Sequence, residues 1–137
     1  MKTIKAYKQI LEEQGCKLPE GVLYNEEHYL SKLYIARTLK KLDYEVEAYE
    51  IMRGMYEINE IRFDKTLYAS YEDYIEEKVN FFVELAKLSY IVTEKPAQSI
   101  PYLDEALIML DSQESAYPYI SKNEIEKLKR DYMNLVG

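Results

Sequence analysis

The chain has 137 residues, enough for one compact domain with its own core and too short for two ordinary ones. Its composition is 47% hydrophobic and 31% charged with only four Gly and four Pro, which excludes wholesale disorder and favours helices over many short turns. A net charge of −7 disfavours a nucleic-acid partner, and the single Cys16 excludes an intramolecular disulfide or a multi-thiolate zinc site.

The acidity is uneven: residues 1–70 carry 11 basic and 12 acidic side chains, residues 71–137 carry 7 and 13. No run of about 18 uncharged apolar residues offers a membrane span. The amino-terminal stretch is interrupted by Lys5, Lys8 and Gln9, unlike a signal peptide. With one loop thiol at Cys16, the default expectation is a cytoplasmic protein.

The spacing predicts a first helix over 3–14, capped by Thr3, with a stripe of Ile4, Tyr7, Ile10 and Leu11, and stopped by Gly15 in a left-handed conformation. Residues 15–24 form a loop. Asn25 is expected to cap a second helix reaching Leu42, with Tyr24 and Tyr29 as its staple. That helix carries apolar residues on two sides, Leu30, Leu33 and Tyr34 on one and Ile35, Leu39 and Leu42 on the other. Asp43 is read as the cap of a third helix, 44–59, with Ala48, Ile51, Met52 and Met55 inward.

Residues 60–70 read as a connector, and Ser70 with Asp73 resembles a capping box. A long fourth helix follows over 71–93, with Val79, Phe82, Val83, Ala86, Tyr90 and Val92 supplying its buried surface. The fifth helix begins near Ser99 or starts at Pro96 and bends at Pro101, with Leu103, Ala106, Leu107 and Leu110 as its stripe. Ser121 and Glu124 form an S-x-x-E box before a sixth helix, 122–135, packing Ile125, Leu128, Tyr132 and Leu135. The fold class is all-α, about six helices in antiparallel hairpins (about 25–60 and 71–112) with two flanking helices, in a single domain over 1–137.

Ile35-Ala36, Leu39, Ala48, Met52 and Met55, and then Ala86-Lys87, Tyr90, Ser99, Leu103 and Ala106-Leu107, together resemble the tetratricopeptide repeat, a pair of antiparallel helices of about 34 residues. The resemblance covers residues 29–60 and 80–111. Residues 60–75 would be an insertion, since Met55 and Ala106 lie 51 positions apart. It implies a right-handed superhelix that holds peptides, the alternative being an up-down bundle built from the same hairpins. Stacked in that way, the second helix would present Leu30, Leu33, Arg37, Lys40 and Lys41 to a groove.

The cations Arg37, Lys40 and Lys41 suit a carboxylate or an acidic segment, with Leu33 and Tyr34 as apolar anchors. The same lysines also suit a helix carboxyl end on dipole grounds alone. The expected function is a non-catalytic scaffold binding a protein or acidic peptide, without cofactor, metal, nucleic acid or membrane, and with self-association as a possibility for so short an array. Fifteen tyrosines fit either packing or an interface, Tyr34, Tyr68 and Tyr71 being the candidates for the latter. The carboxylates Glu57, Glu60, Asp73 and Glu76 suggest the alternative, a magnesium-dependent enzyme like the all-α nucleotide pyrophosphohydrolases. One His and the lack of a nucleophile turn, Walker loop or dinucleotide fingerprint leave other chemistries without residues.

Overall fold

The computed structural model describes residues 4–19, 28–62, 64–111 and 122–136. Among these residues it is all-α: α1 (Ile4–Glu13), α2 (Tyr29–Lys41), α3 (Glu45–Glu57), α4 (Tyr71–Thr93), α5 (Pro96–Asp111) and α6 (Lys122–Val136), with no strand. The chain divides into two compact units, Met1–Ile61 and Arg62–Gly137, and the boundary falls inside the expected connector.

In the first unit the helices end in one recurring way. Gly15 has φ +78°, its N–H bonds to the Glu12 carbonyl at 3.0 Å, and the Cys16 N–H reaches back to Leu11 at 3.0 Å. This Schellman arrangement recurs after α2, with Asp43 at φ +67° and the Tyr44 N–H on the Leu39 carbonyl at 2.9 Å. It recurs again after α3, with Asn59 at φ +47° and the Glu60 N–H on Met55 at 3.0 Å. Asp43 therefore terminates α2 and does not cap α3, whose N-cap Tyr44 makes no side-chain bond. Only Leu42, Asp43 and Tyr44 separate the two helices, so the left-handed residue turns the chain directly into an antiparallel hairpin.

The start of α2 also differs from expectation. His28 is the cap, extended at φ −74° and ψ 141°, and its side chain accepts from the Leu30 N–H at 3.2 Å. Thr3, Tyr24, Asn25 and Ser121 lie outside the described residues.

The core of this unit is Tyr7 and Leu11 from α1, Leu33, Ile35, Ala36 and Leu39 from α2, and Ala48, Tyr49, Ile51, Met52 and Met55 from α3. Ala48 and Ala36 are both fully buried, and with no side chain beyond Cβ they let helix backbones approach closely. Two polar contacts tie the ends. The Tyr7 hydroxyl donates to the Glu50 carboxylate at 2.6 Å, and Lys32 at the start of α2 grips Glu60, just past α3, at 3.0 Å to each oxygen.

The second unit opens with an Asx turn, in which the Asp64 carboxylate accepts from the Thr66 N–H and hydroxyl at 2.9 and 2.7 Å. Ser70 then caps α4 by accepting from the Asp73 N–H at 3.2 Å. The left-handed Glu94, at φ +57°, closes α4. Ten of its 23 residues are buried, among them Tyr74, Ile75, Phe81, Leu85 and Leu88, which a one-sided stripe does not anticipate.

α5 starts at Pro96 and continues through Pro101 to Asp111. Pro101 removes the N–H that would meet the Ala97 carbonyl, but both residues are exposed, so water can serve that carbonyl. α4 and α5 cross through Ala86, Ser89, Ser99, Leu103 and Ala106, each fully buried. The Ser99 hydroxyl donates to the Ala86 carbonyl at 2.6 Å there.

α6 runs antiparallel to α5, joined by Lys122 to Asp111 at 2.7 Å and Lys129 to Asp104 at 2.6 Å. Ile125 and Tyr132 are its buried anchors. Leu135, expected to pack, is 57% exposed in the last turn.

Candidate docking surface on the second helix

α2 buries a wide arc: Tyr29, Ser31, Leu33, Ile35, Ala36 and Leu39. At 100° per residue these positions span more than half of the helix circumference, and the residues opposite them are Leu30, Tyr34, Arg37 and Lys41. Their spacing of four, three and four places them in one line. Leu30 is 41% exposed and Tyr34 40% exposed, so two large apolar bodies lie open on this line. Lys41 is exposed, and Arg37 is half-buried.

Leu33 belongs to the core, not to this surface; it is 1% exposed and cannot anchor a partner in this structure. Lys40 lies seven residues on from Leu33 and only about 20° from it around the helix, on the side of the buried arc, and is half-buried. Of the five residues the sequence singles out, Tyr34, Arg37 and Lys41 share the open line, Lys40 lies on Leu33's side of the helix, and Leu33 faces inward. Leu30 takes Leu33's place as the apolar member.

The cause is that 33, 37 and 40 also obey helical spacing, so two adjacent lines share Arg37. Only the position of the buried arc chooses between them. Lys40 and Lys41 fall in the last turn, where their charge also meets the negative end of the helix dipole. The Thr38 hydroxyl donates to the Tyr34 carbonyl at 2.8 Å, so its polarity is turned onto the backbone beside the Tyr34 ring.

The carboxylates considered for a metal have other company. Glu57 pairs with Arg53 at 3.2 Å and Glu60 with Lys32 at 3.0 Å. Among the described residues no group of three or more His, Cys, Asp or Glu is placed to hold a metal ion. The tyrosines divide: Tyr7, Tyr29, Tyr49, Tyr74 and Tyr132 are buried, Tyr34 and Tyr71 are exposed. Tyr68, Tyr71 and Tyr74 form a ring cluster at the start of α4, with centroids 5.5 to 5.6 Å apart.

The second unit offers an open cleft of about 250 Å³ between α4 and α6, floored by Val83, Ile125 and Leu128 and rimmed by Lys87, Lys127, Glu124 and Asp131. Its rim mixes both charge signs, whereas the line on α2 carries one. No described helix is long and apolar enough to cross a membrane. No protein-family model, curated protein or solved structure matches this chain.

Proposed function

We propose that this chain is a non-catalytic binding scaffold that takes an acidic protein segment along the open line of α2. The observation that carries the proposal is the exposure of Leu30 and Tyr34 on the same helix face as Arg37 and Lys41. The line joins two apolar bodies to two cations on one face, the combination that a mixed apolar and acidic segment complements. Tyr34 supplies area at low entropy cost, and the cations supply charge-assisted hydrogen bonds to carboxylates.

The tetratricopeptide-like character fits with the same proposal. Within the first unit α2 and α3 close on small buried residues such as Ala36 and Ala48, and a tightly packed pair of helices holds a surface line in register.

A displayed library of random peptides tests it. Selection on the wild-type chain is expected to enrich sequences carrying Asp or Glu beside an apolar residue. The same selection on a Tyr34→Ser, Lys41→Glu variant is expected to lose that enrichment. Equal enrichment on both proteins, or none on the wild type, removes the proposal.

A further inference from the structure

We infer that His28 is a proton-sensitive clasp on α2: its neutral ring closes the amino end of the helix, and protonation opens it. The inference stands apart from what α2 binds. An α-helix begins with N–H groups that no carbonyl of its own can reach, and a cap offers one of them an acceptor. At α2 that acceptor is Nδ1 of His28, 3.2 Å from the Leu30 N–H. The ring also stacks on Tyr29, with centroids 4.8 Å apart and planes inclined by 24°. Tyr29 is buried, so the ring rests on a fixed platform.

An imidazole accepts on Nδ1 only while that nitrogen carries no proton. Ser, Thr and Asn keep their capping oxygen at every pH near neutrality, and histidine does not. Protonation does two things at one place. It turns the acceptor into a second donor aimed at the Leu30 N–H, and it adds positive charge at the positive end of the helix dipole. Both act against the first turn of α2, the turn that carries Leu30.

The neighbouring charges set the sign. Lys32, one turn on, gives its N–H to the His28 carbonyl at 3.0 Å, and its ammonium is paired with Glu60 at 3.0 Å. Glu26 and Glu27 precede His28 in the sequence, and carboxylates favour a charged ring. The cap favours a neutral one. If the cap governs, its contribution is present at about pH 8 and is lost as pH falls towards about 5.5. His28 is the only histidine in the chain, which keeps this window clear of other imidazoles.

The test compares the full chain with His28→Asn, whose acceptor no proton removes, and with His28→Ala, which has none. Hydrogen exchange of the Leu30 amide, corrected for its intrinsic rate, is read by NMR at both ends of that pH range. Leu30 protection in the wild type is expected to fall about threefold on acidification relative to the Asn variant, approaching the Ala variant. Within the wild type alone, it is expected to fall relative to that of Leu39, deeper in the same helix. A ratio of wild type to Asn variant that does not change with pH overturns the clasp. A ratio that rises on acidification also overturns it and assigns the ring to the carboxylates. Equal protection in the Asn and Ala variants would show that α2 needs no cap at this position, which overturns the clasp too.

Discussion

Ser99 donates its hydroxyl to the carbonyl of Ala86 across 2.6 Å, at a point where both residues are fully buried between α4 and α5. The contact exists because both positions are small, and it fixes where the two helices cross. Ser99→Ala keeps the close approach and loses one neutral hydrogen bond, an expected cost of about 1 kcal/mol. Ser99→Leu forces the helices apart and is expected to cost about 3 kcal/mol or more. Urea midpoints of the two variants check the order; a Leu variant no worse than the Ala variant would mean the crossing is loosely packed.

Lys32 and Glu60 form the most protected ion pair described in the first unit, with side chains 17% and 16% exposed. Replacing one partner leaves the other largely desolvated and unpaired. Lys32→Met or Glu60→Gln alone is therefore expected to destabilise by about 1–3 kcal/mol. The double change Lys32→Met, Glu60→Leu is expected to cost less than the sum of the singles, because no charge is stranded. A double-mutant cycle measured by denaturant melts gives the coupling directly, and strict additivity would show that water already serves both groups.

Sequence pattern reaches far here, and each of its failures has its own local cause. The bounds of α4 are legible because Ser70 caps it and its apolar positions continue without a Gly or Pro until Lys95. Ala48, Met52, Met55, Ala86, Ser99 and Ala106 all lie in the interior, as their helical spacing requires.

Asp43 misleads because aspartate serves two local roles, N-cap and left-handed terminator. Which one it plays depends on the two-residue distance to the helix before it. His28 escapes notice because histidine is not among the preferred caps, though its ring nitrogen can accept the same bond. On α2 the residue types of the surface are legible but its register is not. A helix apolar on two sides leaves the buried arc free to turn by one position, and that turn exchanges Leu33 for Leu30.

Among the described residues, three with side chains occupy left-handed backbone at helix ends: Asp43, Asn59 and Glu94. Such a conformation costs an ordinary L-residue about 1–2 kcal/mol, while glycine pays only in unfolded-chain entropy, about 0.5–1 kcal/mol. Glu94→Gly is therefore expected to gain about 0.5–1 kcal/mol, and Asp43→Gly and Asn59→Gly less, since their short polar side chains tolerate the region better. Conversely Gly15→Ala, at φ +78° with open space around its Cβ position, is expected to lose about 1 kcal/mol through the backbone alone. Thermal melts of the four variants check the ranking, and a destabilised Glu94→Gly would show that its side chain does more than endure its conformation.

Tyr132 supplies a prediction in alkali. Burial above all, then the nearby Tyr90 and Asp131, holds its phenol above the ordinary value of 10.0. The Tyr90 and Tyr132 rings lie 5.2 Å apart between α4 and α6. The folded state thus retains the phenolic proton at pH values where the unfolded chain releases it. The corresponding stability is complete below the unfolded value and is lost as pH rises through the raised folded value. Lys122, raised by its hydrogen bond to Asp111, acts in the same direction, so the absolute stability curve mixes several groups. The difference between wild type and Tyr132→Phe isolates the phenol, because the ring contact with Tyr90 survives the change. That difference is expected to stay constant up to about pH 10 and then shift in favour of the Phe variant. Urea midpoints taken from pH 8 to 11 measure it, and parallel curves throughout would place the Tyr132 hydroxyl in water.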